Sequence, residues 1–269
     1  MKPFLIAQIS DMHVKLHGRL SCGVVDTAAS LERAVAAVLA LRQRPDVMLL
    51  TGDLADAGSA EEYAFLRELL SPLAMPYYLI PGNHDDPGAL VRAFADHPWL
   101  AGCSPFVQYA IEDFPVRIVA IDTVIPGKPG GRLCERRLAW LEETLSARRE
   151  APAVVVMHHP PFASFIGHMD AMGLENPAPL AAVIEKHPQV QALLCGHLHR
   201  AIQTRFAGTI AMTCPGTAHQ IALDLAANAP DRFVMEPPGF LLHAWSPRAG
   251  LVSHTVAIGE YAGPYPFGE

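Results

Sequence analysis

Five short motifs rich in aspartate, asparagine and histidine follow one another along this chain. Together they carry the carboxylate, amide and imidazole groups that bind metal ions in hydrolytic sites. Each motif comes directly after an apolar run that is typical of a β-strand. The motifs are Asp11-Met12-His13, Gly52-Asp53-Leu54-Ala55-Asp56, Gly82-Asn83-His84-Asp85, His158-His159 and Gly196-His197-Leu198-His199. One of them alone could arise by chance, whereas the ordered set predicts a centre for two metal ions.

The spacing inside the motifs suits this chemistry. Asp11 and His13 are two positions apart, so on an extended segment both side chains lie on the same side. Asp53 offers two carboxylate oxygens, which can bridge two ions, and the preceding Gly52 lets the backbone turn sharply. Asn83 offers a neutral carbonyl oxygen, and the histidines of the last two motifs add nitrogen ligands that suit zinc, iron, manganese or cobalt.

The segments around the first three motifs alternate between strand and helix. Continuous apolar runs predict buried parallel strands at Phe4–Ile9, Val47–Leu50 and Tyr77–Ile80. Apolar residues at helical spacing predict a helix over Asp26–Arg44, and a capping box at Ser59–Glu62 opens the next helix. This order indicates right-handed parallel crossovers, which gather functional groups beyond the carboxyl ends of the strands.

The second half of the chain predicts a second, mixed sheet that faces the first. Its predicted strands are Val107–Ile111, Val116–Ile121, Val154–Met157, Val190–Leu194, Ile202–Phe206 and Ile210–Thr213. We expect one domain over residues 1–229. Residues 230–269 would add two C-terminal strands, Phe240–Trp245 and Leu251–Ile258, that pack on the core or on a neighbouring subunit.

Composition narrows the classes of function. The chain has 269 residues, of which 51% are hydrophobic, and this suits one large globular domain. A formal net charge of -7 without a basic patch argues against a nucleic-acid polymer as partner. Five scattered cysteines without a C-x-x-C pair argue against a disulfide scaffold or a structural zinc site. Without a signal peptide or a long apolar stretch, we expect a cytoplasmic protein with no membrane partner.

The ordered motifs resemble those of the calcineurin-like metallophosphoesterase superfamily, whose pattern is D-x-H, G-D-x-x-D, G-N-H-[DE], H and G-H-x-H. Three further segments are similar in sequence to its bacterial class III cyclic-nucleotide and glycerophosphodiester phosphodiesterase branch. They are His158-His159-Pro160-Pro161, Pro215-Gly216-Thr217-Ala218-His219-Gln220 and Tyr261-Ala262-Gly263-Pro264. The resemblance implies a four-layer α/β/β/α sandwich of two mixed sheets, in which residues 1–229 form the catalytic domain. A small C-terminal β appendage would follow.

The resemblance also implies a role for each motif. One ion would be held by Asp11, His13, Asp53 and His199. The other would be held by Asp53, Asn83, His158 and His197, so Asp53 would bridge the pair. His84 would contact the substrate phosphate; beside what the resemblance implies, we expect Asn83 and His219 to contribute to substrate binding. His159 and Asp85 would support the ligands without binding metal.

The implied reaction is hydrolysis of a small anionic phosphodiester by a hydroxide that bridges two divalent ions of iron, manganese, zinc or cobalt. His84 would donate a hydrogen bond to the phosphate or protonate the leaving oxygen. Asp56 would orient His84 as its catalytic partner, with Asp85 as the alternative partner.

The substrate stays open between glycerophosphodiesters and 3',5'-cyclic nucleotides. We expect Pro161–Asn176 to form a loop over the metal ions, and it carries Phe162 and Phe165. An aromatic side chain turned inward would favour a nucleobase, whereas a narrow polar pocket would favour a glycerophosphodiester.

Other functions compatible with the motifs are a phosphomonoesterase, a protein phosphatase and a non-catalytic scaffold. Protein phosphatases of the superfamily typically carry arginine and glutamate where this chain has Ala57 and Asp85. A scaffold would have lost ligands, and none is lost here. We also expect a homo-oligomer, a dimer or larger, with the C-terminal strands as its interface.

Overall fold

The computed structural model describes residues 2–268 and has two large β-sheets. The helices are α1 (Thr27–Ala40), α2 (Ala60–Leu70), α3 (Pro87–Ala93), α4 (Glu135–Ser146), α5 (Gly167–Asp170) and α6 (Ala178–Ile184). The strands are β1 (Phe4–Ile9), β2 (Val47–Thr51), β3 (Tyr77–Ile80), β4 (Tyr109–Ile111), β5 (Arg117–Ala120), β6 (Gly131–Arg132), β7 (Ala153–Val156), β8 (Leu174–Glu175), β9 (Val190–Cys195), β10 (Ile202–Phe206), β11 (Thr209–Thr213), β12 (Gln220–Ile221), β13 (Phe233–Val234), β14 (Gly239–Ser246) and β15 (Gly250–Ala257). Within the described residues, no helix combines the length and the apolar character needed to span a membrane.

The first sheet has the strand order β15-β14-β1-β2-β3, and its β1, β2 and β3 are parallel. The helix α1 begins at Asp26, whose side chain accepts a hydrogen bond from the Ala29 N–H, and α2 begins with the predicted capping box of Ser59 and Glu62. Because these helices connect parallel strands, the carboxyl ends of the strands meet at one edge of the sheet.

The second sheet has the order β10-β11-β9-β7-β5-β4, with four central parallel strands and antiparallel β10 and β4 at its edges. One buried cluster joins side chains of both sheets, such as Ile6 and Leu49 of the first and Val154 and Leu194 of the second. A second cluster packs α4 and α6 on the opposite face of the second sheet. The predicted α/β/β/α sandwich of two mixed sheets is therefore confirmed.

The end of the first predicted helix differs from the structure. The helix α1 ends at Ala40, whereas the sequence pattern extends it to Arg44. Leu41 has already left the helical conformation, with φ -57° and ψ 131°, and Pro45 disfavours that conformation at Arg44.

The C-terminal β appendage consists of the hairpin of β14 and β15, which extends the first sheet because β14 pairs with β1 in antiparallel register. The strand β15 forms the free edge. The predicted domain boundary after residue 229 falls between β12 and β13, which pair with each other, and it stays a prediction. Packing of the hairpin on a neighbouring subunit also stays a prediction, because the structure contains one chain.

A buried polar network ties this hairpin to both sheets. The Gln8 side-chain amide donates to Thr51 Oγ1 at 3.0 Å and to the Cys195 carbonyl at 2.9 Å. His243 Nε2 donates to Gln8 Oε1 at 3.0 Å, and the Ser253 hydroxyl lies 2.7 Å from His243 Nδ1. Because the imidazole and the amide are wholly buried, each depends on the other for hydrogen bonding.

We therefore expect His243→Leu to lower the free energy of unfolding by about 1–3 kcal/mol, because it leaves Gln8 Oε1 buried without a donor. Urea unfolding followed by circular dichroism would measure this. The matched control is His254→Leu on the exposed side of β15, which should have little effect. Equal losses in the two variants would contradict the role of the network.

The same histidine predicts a pH dependence of stability. Burial, with a further contribution from His254, lowers the pKa of His243 to about 3. The unfolded chain protonates this residue near pH 6.5, so its contribution is full above that pH and is lost as the pH falls toward 3. The stability difference between the wild type and His243→Leu should shrink over that interval. A difference that stays constant with pH would refute this.

Candidate metal centre

The seven predicted metal ligands lie at the carboxyl ends of five strands. Asp11 and His13 follow β1, Asp53 follows β2, and Asn83 follows β3 of the first sheet. His158 follows β7 of the second sheet, and His197 and His199 follow β9. The facing sheets therefore contribute to one site from the same end of the sandwich.

Five of these residues have a left-handed backbone although none is a glycine. They are Asp11, His13, Asp53, His197 and His199, with φ between 43° and 72°. Such a conformation typically costs about 1–3 kcal/mol per residue, and it persists where surrounding contacts fix it. Here the Asp11 N–H donates to the Gly52 carbonyl and the His13 N–H to the Asp53 carbonyl. The sharp turns bring side chains from separate strand ends together.

Two glycines permit the close approach of these strand ends. A Cβ on Gly82 would lie 2.2 Å from Asp53 Oδ1, and a Cβ on Gly52 would lie 2.3 Å from His158 Nδ1. Any side chain at either position would therefore displace a predicted ligand. The glycines of the G-N-H and G-D motifs are required by space as well as by turning.

The first ligand group contains Asp11, His13, Asp53 and His199, whose ligand atoms lie within 4.8 Å of one another. His13 Nε2 lies 3.1 Å from His199 Nε2 and 3.6 Å from Asp53 Oδ2. His199 Nε2 lies 3.7 Å from Asp11 Oδ1, and His199 Nδ1 donates to the His219 carbonyl at 3.3 Å. This hydrogen bond leaves the lone pair of Nε2 directed at the group.

The second group gathers around the amide oxygen of Asn83. Asn83 Oδ1 lies 3.1 Å from His158 Nε2 and 3.0 Å from His197 Nδ1. His158 Nδ1 donates to the Thr51 carbonyl at 2.8 Å, which again leaves the lone pair of its Nε2 available to a metal ion. Asp53 Oδ2 lies 3.5 Å from the same Nε2. Asp53 is therefore adjacent to both groups.

The polar atoms of the site fit metal ions better than they fit one another. Asp11 Oδ2 is buried and has no hydrogen-bond partner among residues 2–268. Burial, with the added effect of Asp53, raises the pKa of Asp11 to about 7. Burial alone would lower the pKa of His158, but the Asp53 carboxylate outweighs it and the pKa is about 9. Mixed nitrogen and oxygen donors of this kind suit divalent transition metals.

His159 lies beside the second group, within 4.8 Å of His158 and His197, but its ring nitrogens are occupied. The Thr123 hydroxyl lies 2.8 Å from Nδ1, and Nε2 donates to the Pro129 carbonyl at 3.1 Å. Because neither nitrogen is left for a metal ion, the geometry agrees with the supporting role expected for His159.

The contact between Asp56 and His84 differs from the predicted carboxylate–imidazole pair. His84 Nδ1 donates to the main-chain carbonyl of Asp56 at 2.8 Å, while the Asp56 carboxylate pairs with Lys15 and Ser21 instead. The carboxylate of Asp85, the alternative partner, accepts hydrogen bonds from the main-chain N–H groups of three residues and from a tyrosine hydroxyl. Asp85 therefore braces the turns that carry the ligands, whereas Asp56 orients His84 through its carbonyl.

The ligand groups open into a cavity of about 480 Å³ that His84 and His219 also line. His219 is buried, and its Nδ1 has no hydrogen-bond partner in the described part of the chain. Burial, with a contribution from His199, lowers the pKa of His219 to about 4, so the ring is neutral.

The loop Pro161–Asn176 reaches this cavity through Met169 and Met172. Phe165 is 74% exposed and Phe162 packs against the core clusters, so the structure places neither ring in the cavity. The two-residue pairings of β6 with β8 and of β12 with β13 fasten the surrounding loops. No periodic pattern in the sequence predicts strands of only two residues.

Several residues that line the cavity lie outside the five motifs and were not predicted from the sequence. Lys15, Ser21 and Cys22 line the cavity from the segment after the first motif, and Asp231 lines it from the segment before β13. Lys15 lies only two positions after His13, but the left-handed backbone of His13 means that strand alternation does not predict the direction of the Lys15 side chain. Asp231 stands in a stretch without any motif.

Residues 4–201 match the family described as calcineurin-like phosphoesterase, and this span includes all five motifs. This chain belongs to that family. A probable glycerophosphodiester phosphodiesterase GpdQ from Arcobacter nitrofigilis is 40% identical to it over 264 residues, 98% of this chain and 96% of that protein. A 3',5'-cyclic adenosine monophosphate phosphodiesterase CpdA from Pseudomonas aeruginosa is 31% identical over 218 residues, 81% of this chain and 78% of that protein.

A solved structure extends the likeness to the fold. A dimetal phosphatase from Danio rerio superposes with a TM-score of 0.65 and covers 96% of this chain and 100% of its own, at 14% sequence identity. The two chains share a fold in spite of that low identity. The calcineurin-like phosphoesterase described here therefore has the architecture of its family.

Asp53→Ala should remove both metal ions, because the carboxylate lies beside both ligand groups. The number of metal ions per chain after dialysis, measured by inductively coupled plasma mass spectrometry, would test this. Asp113→Ala, at an exposed carboxylate, is the matched control and should keep the wild-type content. An Asp53→Ala protein with two ions and full activity would contradict a shared ligand.

Proposed function

We propose that this calcineurin-like phosphoesterase hydrolyses small phosphodiesters at a dinuclear metal centre. The observation that carries the proposal is the position of Asp53 Oδ2, which lies 3.6 Å from His13 Nε2 and 3.5 Å from His158 Nε2. A single oxygen between two ligand groups suits a pair of ions that share it. When bound, such a pair supplies a water nucleophile of lowered pKa and neutralises the charge of the phosphate.

In this proposal each ion has four protein ligands. Asp11, His13, Asp53 and His199 hold the first ion, and Asp53, Asn83, His158 and His197 hold the second. His158 and His199 present the nitrogen that a second hydrogen bond leaves free, through the Thr51 and His219 carbonyls respectively. Such bonds fix the tautomer and the direction of the ring, which supports the assignment.

His84 is proposed to donate a proton or a hydrogen bond to the substrate. Its Nδ1 donates to the Asp56 carbonyl, which leaves Nε2 for the cavity, and its ring meets His13 edge-on at 4.5 Å between centroids. Burial lowers the pKa of His84, but Asp53 and the Asp56 carbonyl outweigh it and raise the pKa above its ordinary value. A protonated imidazole is a competent general acid.

Beyond the charge that the metal ions would neutralise, the side chains of the cavity suit a diester better than a monoester. Among the lining residues of the described chain, Lys15 is the sole lysine or arginine, and Asp56 neutralises it. A phosphodiester carries one negative charge, whereas a phosphomonoester carries two near neutral pH and needs more compensation. This argument also disfavours a phosphomonoesterase or a protein phosphatase.

Within phosphodiesters we propose a glycerophosphodiester as the preferred substrate. The apolar lining comes from Leu20, Met169, Met172 and Ile221, and no Phe, Tyr or Trp ring among residues 2–268 lines the cavity. A nucleobase would therefore find no Phe, Tyr or Trp ring to stack on, a contact worth about 1–3 kcal/mol per base. The name of the Arcobacter nitrofigilis relative supports this choice.

This proposal is tested by comparing kcat/KM for glycerophosphoethanolamine and for cyclic AMP on the same metal-loaded enzyme. Loss of a stacking contact worth about 1–3 kcal/mol predicts a preference for the glycerophosphodiester of about 5- to 150-fold. A bis-aryl phosphate and the corresponding aryl monoester serve as the reference pair for the diester activity. A preference for cyclic AMP would instead support the activity named for the Pseudomonas aeruginosa relative, and a preference for the monoester would refute a phosphodiesterase.

His84→Ala should keep both metal ions and lose activity by about 10²–10⁴-fold, the range typical of general acid catalysis. Metal analysis and turnover of an alkyl phosphodiester would be measured on the same preparation. The control is His17→Ala, which removes an imidazole from the neighbouring exposed segment. If His84→Ala empties a metal site, then the residue is a ligand and its proposed role is wrong.

A further inference from the structure

The carboxylate of Asp56 is held from two directions on one wall of the cavity. Lys15 Nζ forms an ion pair with Asp56 Oδ2, and the Ser21 hydroxyl donates to Asp56 Oδ1 at 3.1 Å. The side chains of Lys15 and Asp56 are 24% and 19% exposed, so water screens this pair less than it screens an exposed pair. Both carboxylate oxygens are therefore engaged by the segment that follows the first metal motif.

The main chain of Asp56 is held as well. Its N–H donates to the Val14 carbonyl at 3.2 Å, and Val14 forms a parallel bridge with Ala55. The Asp56 carbonyl then accepts the hydrogen bond from His84 Nδ1. The carbonyl that orients the imidazole thus belongs to a residue that is fixed at its N–H and at its carboxylate.

We propose that Lys15 and Ser21 are positioning residues for His84. They clamp the Asp56 carboxylate, which keeps the Asp56 carbonyl directed at Nδ1 and leaves Nε2 of the imidazole facing the cavity. Charge-assisted hydrogen bonds are short and geometrically specific, so such a clamp restricts the carbonyl more than a neutral contact would. The inference rests on the role of His84 in the proposed function.

The ion pair argues against a direct role for Lys15 in binding the phosphate. A lysine that neutralises a carboxylate has little net charge to offer an anion, and releasing it would leave Asp56 partly buried without its counterion. A phosphate-binding lysine predicts a higher KM when it is removed. A positioning lysine predicts a lower kcat, and only for reactions that need the proton from His84.

The test measures kcat and KM over a series of phosphodiesters whose leaving groups range from p-nitrophenol to an alkyl alcohol. An alkoxide needs protonation as it leaves, whereas p-nitrophenolate does not, so the loss caused by a misplaced acid should grow with the pKa of the leaving group. The variants are Lys15→Met, Lys15→Arg, Ser21→Ala and His84→Ala. The matched control is Arg19→Met, which removes an exposed positive charge from the same segment.

For alkyl diesters we expect Lys15→Met to lower kcat by about 10- to 100-fold, the scale of a small misplacement of a catalytic group. Ser21→Ala should lower it less. Both variants should turn over the p-nitrophenyl diester close to the wild-type rate. Lys15→Arg should restore activity because it keeps the charged donor. Adding Lys15→Met to His84→Ala should cause little further loss, since the two residues act through one group.

Three results would overturn the clamp while leaving the proposed function intact. These are an equal loss of kcat for every leaving group, a rise in KM alone, and losses of Lys15→Met and His84→Ala that multiply in the double variant. If His84→Ala itself shows no dependence on the leaving group, the acid role of His84 fails and the clamp fails with it. Metal content and thermal unfolding verify that each variant is folded, and Ser21→Ala tests the clamp independently if Lys15→Met unfolds.

Discussion

Two imidazole nitrogens, one from each ligand group, lie 3.5 and 3.6 Å from the same oxygen of Asp53. That shared oxygen sets the separation of the two groups, and several features of the fold serve to place it. Asp53 has a left-handed backbone, its other oxygen accepts from the His84 N–H, and Gly82 leaves the space that it occupies. A change in any of these would move the shared oxygen relative to both groups at once.

The strands that carry the ligands are well predicted from the sequence. Continuous apolar runs such as Phe4–Ile9 are typical of strands buried on both faces, and the parallel crossover rule then places their carboxyl ends together. The five motifs follow such runs, so the sequence also predicts that their side chains meet at one end of the sandwich. Helix ends are predicted less well, because the polar residues Arg42–Arg44 are compatible with a helix although α1 ends at Ala40.

Contacts between distant segments could not be predicted, because residue type and spacing do not say which atom of a residue faces which partner. The family resemblance implies that Asp56 and His84 meet, but not that the carbonyl makes the contact while the carboxylate pairs with Lys15. The bond between Gln8 and His243 joins residues 235 positions apart, and neither stands in a motif. Such contacts depend on the way the two sheets are packed, which local patterns do not encode.

The division of ligands between the sheets has a mechanical consequence. In the proposed assignment the first sheet gives Asp53 to both ions, and each ion also takes histidine nitrogen from the second sheet, through His199 for one and through His158 and His197 for the other. Neither sheet can form half of the centre alone. The ions would therefore cross-link the two sheets at this end of the sandwich. The rigidity of the fold would then increase with the occupancy of the metal sites and decrease when the ions are lost.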